Sequence, residues 1–116
     1  MQLNAIQRQE IAIKVAKRLG IVTPTIKITD KNYGELDLYK NEISIPRMVL
    51  TSQIKTTYLI THECLHSLIL GHDKDFKQKE KQLLKELFGI DEEYEGRKPY
   101  PNKLRKGKNV IYMEWE

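Results

Sequence analysis

All three histidines of this 116-residue chain fall in one stretch, HECLHSLILGH, at positions 62, 66 and 72. The first two, together with Glu63, form the arrangement HExxH. On a helix, residues four apart lie one above the other on nearly the same face, so His62 and His66 can reach one cation at about 2.0–2.1 Å. Glu63 lies beside that face. Its carboxylate can meet an activated water without being a ligand itself, which is the placement a general base needs. A catalytic Zn2+ takes three protein ligands and keeps a fourth position open. His72 is the candidate for the third, because Gly71 just before it is placed to end the helix and turn the backbone back. An unbroken helix would instead carry His72 roughly 9 Å along the axis from His66. Asp73, Asp75 and Glu80 are the substitutes at this third position, and Asp73 or Asp75 otherwise cap the next helix or orient His72. Cys64, two residues past His62, points to nearly the opposite side and is expected in the core as a small hydrophobe. Tyr39, Tyr58, Tyr94, Tyr100 and Tyr112 offer hydroxyls for an oxyanion, and nothing in the sequence selects one of them.

The longer run HECLHSLILGHDKDF resembles the pattern HExxH, five residues, His, two residues, Phe of the SprT-like and WLM-type zinc metallopeptidases. Asp73 follows the third histidine as it often does in the WLM-type proteins, and Phe76 occupies the apolar position after it. EISIP, ahead of the motif, resembles the strand those proteins carry there. The likeness covers roughly residues 36–88. It implies that His62, His66 and His72 are zinc ligands, that Glu63 is catalytic, that the fold is a minimal zincin-like domain and that the substrate is a protein or peptide. The family includes proteases that clear proteins from DNA, which makes DNA-associated proteins one implied substrate class. The chain departs from the pattern at Cys64, where Leu or Met is usual, and its single cysteine leaves no cysteine-rich zinc ribbon in these residues. Ile69 stands where the metzincins place glycine.

A site of this kind needs a helix to carry it and a sheet to face it. Residues 4–19 place Ile11, Ala12, Val15, Ala16 and Leu19 on one helical face, with Gly20 as the stop. Residues 25–29 read as a β-branched strand and 30–34 (DKNYG) as a turn. Strands at 36–39 and 42–45 are expected to join at Lys40 and Asn41, with Pro46 closing the second. The motif helix is expected to start at Thr51 or Ser52 and stop at Gly71, and a further helix to run from about Asp75 to Gly89 with Phe76, Leu83, Leu84, Leu87 and Phe88 inward. NVIYMEW, at 109–115, is a candidate last strand. The expected class is therefore α+β: an N-terminal helix, a small three- to four-stranded sheet, the HExxH helix and a following helix. The strand edge within 36–45 is the expected seat of an extended peptide, held by main-chain hydrogen bonds.

The composition, 40% hydrophobic and 31% charged, is that of one globular domain. Residues 1–90 are read as the catalytic part, and 91–116 as a basic extension packed on the same domain. No secretory leader or membrane span is visible, since the longest apolar region, 58–70, is interrupted by His62, Glu63 and His66. A single cysteine fits a reducing compartment, so the expected location is cytoplasmic. The net charge of +4 favours acidic partners. Arg97, Lys98, Lys103, Arg105, Lys106 and Lys108 stand together without an acid among them, directly after the acidic DEEYE, and could contact nucleic acid. Two other readings follow: a regulatory metallopeptidase that acts on one partner protein, and a basic nucleic-acid-binding module whose zinc is structural.

Overall fold

The first helix is set by Asn4. Its Oδ1 accepts from the Gln7 amide while the Gln7 side chain accepts from the Asn4 amide, both at 2.8 Å. Two N–H groups that a helix start leaves open are thereby satisfied together. Helix α1 runs over Ala5–Leu19, buries Ala12, Val15 and Ala16, and ends at Gly20, whose φ of 73° is left-handed. The computed structural model describes residues 2–90. The basic segment 97–108, the strand expected at 109–115 and the packing of the extension lie outside the described residues.

Strands β1 (Thr25–Thr29), β2 (Glu35–Asp37) and β3 (Glu42–Pro46) form one sheet in the order β1-β3-β2. β1 is parallel to the central β3 and β2 antiparallel to it, with Leu36 opposite Ile43. Ile43 and Ile45 alternate into the same apolar core as Ala12 and Val15 of α1 and Leu59 and Ile60 of α2, so both helices cover one face of the sheet. β2 is shorter than the expected strand. The Asp37 side chain accepts from the amides of Tyr39 and Lys40, at 3.0 and 3.1 Å, and bends the chain into a turn before Leu38 can pair. Asn41 completes that turn with a φ of 54°. The expected edge over 36–45 is corrected accordingly: β3 is paired on both sides, and among the described residues the edge beside the motif helix is β2.

A 3-10 turn over Arg47–Thr51 leads to Ser52, whose Oγ accepts from the Lys55 amide and caps helix α2 (Gln53–Leu65). Residues 56–65 are all buried, so α2 is the central element. Its buried threonines stay satisfied by donating to carbonyls one turn back, Thr57 to Gln53 at 2.8 Å and Thr61 to Thr57 at 2.9 Å.

The helix does not continue to Gly71. The amides of Ser67 and Leu68 donate to Cys64 and Leu65 at the i−3 spacing of a tightened turn, and His66 Nδ1 donates to the Ile69 carbonyl at 2.8 Å. The chain is thus held in a turn before Gly71 is reached, and Gly71 is not among the described glycines with positive φ. Helix α3 (Lys74–Phe88) starts at Asp73, whose Oδ1 accepts from the Phe76 amide at 2.9 Å, and closes at Gly89 with a φ of 70°. The architecture of the described residues is α+β, three helices with a small three-stranded sheet. Among the described residues no helix is long and apolar enough to cross a membrane.

Candidate metal centre

α2 carries His62 in its last turn and is followed directly by His66 as its C-cap, while His72 comes from the connector just before α3. Their Nε2 atoms form a nearly regular triangle: 3.2 Å from His62 to His66, 3.2 Å from His62 to His72 and 3.1 Å from His66 to His72. All three sequence candidates are therefore brought together. The other ring nitrogens explain the orientation. His66 Nδ1 donates to the Ile69 carbonyl, and His62 Nδ1 donates to Glu80 Oε2. With the proton on Nδ1, the Nε2 atoms of His62 and His66 face the centre of the triangle with lone pairs. Burial lowers the pKa of His62 and of His66 to about 3 and that of His72 to about 4, so the rings are neutral at neutral pH. Converging neutral imidazoles repel unless a cation lies between them, and this group can hold a metal ion.

Phe76 is the apolar support of the cluster. Its ring stacks on His66 with centroids 4.6 Å apart, and meets His62 and His72 edge-on at 5.0 and 5.1 Å. The substitutes weighed for the third position have other roles: Asp73 caps α3, Asp75 is exposed in its first turn, and Glu80 holds His62 from behind. Glu80 is 1% exposed and also accepts from the Tyr58 hydroxyl, at 3.1 Å. A carboxylate on the far nitrogen of a ligand histidine fixes its tautomer and raises its basicity. Sequence reasoning missed this orienting role. The signal was present in the spacing, since Glu80 lies one turn past Phe76 on the inward face of α3, where an acid needs a partner.

Glu63 is buried, and its Oε2 has no hydrogen-bond partner. It lines a cleft of about 130 Å³ together with His66, Leu36, Leu38 and Leu70. Burial, and then the negative charges of Glu35 and Glu80, push its pKa well above the usual carboxylate value. A carboxylate with raised proton affinity, on a residue that lines a cleft beside a candidate metal-binding group, is suited to accept a proton. Cys64 is buried in the core as expected, and burial pushes its thiol to about 12, which leaves it inert. Tyr39 is fully exposed and Tyr58 is turned to Glu80. No known family model matches the chain, and no curated protein matches it significantly.

Proposed function

We propose that this chain is a zinc-dependent metallopeptidase of minimal zincin-like form, with His62, His66 and His72 as ligands and Glu63 as general base. The observation that carries the reading is that Glu63, whose Oε2 is buried without a hydrogen-bond partner, lines the same cleft as His66. The donor set suits zinc. Nitrogens at about 2.0–2.1 Å in a tetrahedral shell lie about 3.3–3.4 Å apart, and the three Nε2 separations of 3.1–3.2 Å are close to that. The likeness to the SprT-like and WLM-type pattern supports the same assignment, as does a motif helix packed under an edge strand.

When bound, zinc supplies a lowered pKa for water, toward about 7, and polarises a carbonyl. Glu63 takes the proton of the attacking water and later delivers it to the leaving amine nitrogen. Glu80 keeps His62 in the tautomer that presents Nε2. The edge of β2 offers main-chain groups to an extended peptide. The test is Glu63→Gln, which should keep stoichiometric zinc and lose peptide hydrolysis by about 10²–10⁴-fold. A variant that cleaves as fast as wild type, or a wild-type protein that takes up no zinc, overturns the proposal.

One further observation favours an acidic partner, with DNA-associated protein as a substrate class. Lys74, Lys77, Lys81 and Lys85 recur at helical spacing along one shallow face of α3, beside Gln78 and Gln82. Such a row presents positive charge next to the metal centre. Binding of duplex DNA should weaken steeply with added salt, and removal of these lysines should flatten that dependence. Affinity indifferent to salt would remove this reading, and that of a nucleic-acid-binding module, while leaving the peptidase assignment in place.

A further inference from the structure

The cleft beside Glu63 is closed on its other sides by leucine. Leu36 comes from edge strand β2, Leu38 from the turn after it, and Leu70 from the connector between His66 and His72. Leu38 and Leu70 are 55% and 71% exposed, which is an unfavourable use of two large apolar side chains unless something covers them. Two separate parts of the chain thus bring aliphatic surface to one point. Among the described residues the polar side chains lining it are those of Glu63 and His66, and the Glu63 Oε2 is buried and unpartnered.

We propose that this cleft is a specificity subsite for one aliphatic side chain of the substrate, at a position flanking the scissile bond. The inference rests on the metallopeptidase reading and names its substrate class: peptides with a leucine-, isoleucine- or methionine-like residue at that position. The size agrees. A dry cavity of about 150 Å³ lined by leucine, isoleucine and phenylalanine takes up a benzene-sized group, and the cleft of about 130 Å³ matches one branched aliphatic side chain. Charged side chains are disfavoured for two reasons. A carboxylate would face Glu63, and a cation would lose its hydration against three leucines. Leu36 and Leu38 lie two apart, in the middle of edge strand β2 and just beyond its end. A peptide laid along that edge therefore brings alternate side chains toward the leucines.

The test uses the zinc-loaded full chain and two hydroxamates that differ only in carrying an isobutyl or a carboxymethyl side chain, with binding measured by calorimetry. The isobutyl compound should bind roughly tenfold tighter or more. Leu38→Asn should narrow the difference and Leu70→Lys should reverse it. Both positions are largely exposed, so neither change disturbs the core, and retained zinc stoichiometry checks this. Equal binding of the two compounds, no binding of either, or a ratio unmoved by the substitutions overturns the subsite. A second arm digests a mixed peptide library and reads the cleavage sites by mass spectrometry. Hydrolysis without aliphatic enrichment at any fixed position sinks the subsite and leaves the peptidase standing. An intact hydroxamate preference with no hydrolysis sinks the peptidase and leaves the subsite.

Discussion

Glu80 is the residue whose replacement should separate metal capture from folding most clearly. It is 1% exposed, accepts from His62 Nδ1 and from the Tyr58 hydroxyl, and belongs to α3 while both donors belong to α2. Glu80→Gln keeps the shape and a carbonyl oxygen for His62, but removes the charge that strengthens that hydrogen bond and makes the imidazole more basic. Glu80→Leu removes the acceptor altogether. Loss of such an outer partner costs about 10–100-fold in metal affinity, or about 1.4–2.8 kcal/mol. Because Glu80 is sealed from solvent, bulk water is poorly placed to replace it, so Leu belongs at the hundredfold end and Gln near tenfold. The assay is a competitive zinc titration against a fluorescent chelator at pH 7, with urea denaturation of each metal-free variant to confirm folding. If folded Glu80→Gln and Glu80→Leu both bind zinc within twofold of wild type, the orienting role assigned to Glu80 is wrong.

Three other outcomes are expected. Stripping zinc with a chelator should lower the melting temperature, since ligand at a hundred times its Kd stabilises by about 2.7 kcal/mol, which for a domain of this size is roughly 10–20 °C by calorimetry. The metal-free protein should lose stability as the pH falls. The folded-state pKa values of His62 and His66, about 3, and of His72, about 4, lie below the ordinary 6.5 of the unfolded chain. The unfolded state therefore binds more protons throughout that interval, and the histidine contribution, intact above pH 6.5, fades toward pH 3; urea midpoints at pH 7 and 5 check this, with His66→Gln expected to flatten the trend. Gly34→Ala should destabilise by about 1–3 kcal/mol, because a Cβ there would lie 2.9 Å from a methyl of the buried Leu59. Zinc affinity should not follow, and an unchanged urea midpoint would show that Leu59 yields freely.

Local rules carried far in this chain. Asn4, Ser52, Asp73, Gly20 and Gly89 set most helix ends because capping depends only on neighbouring residues. The histidine cluster was legible for the same reason, as HExxH fixes two of its members on one helix. The route to the third was misread. Gly71 suggested a glycine stop, whereas the helix ends at Leu65, where the His66 side chain binds the Ile69 carbonyl, a contact with no signature in the sequence. The length of β2 was misread similarly: residues 36–39 alternate well enough for a strand, but the Asp37 carboxylate captures the next two free amides. The pairing of Glu80 with His62 depends on how α3 packs on α2, which no local pattern encodes.

The three candidate ligands and the carboxylate behind His62 all lie within a short piece of chain. Even the most separated pair, His62 and Glu80, is 18 residues apart, and the loop that brings in His72 is short enough that its closure costs little entropy. The wall of the cleft is different, since Leu36 and Leu38 reach Glu63 only after β2 has paired with β3 and the sheet has docked on α2. The histidine cluster thus depends on short-range contacts and the cleft on long-range ones, which form more slowly and at greater entropic cost. Damage to the sheet should leave a protein that still fills with metal and yet has nowhere to lay a peptide. On the proposed metallopeptidase reading, metal content reports on the helical hairpin and activity on the whole fold.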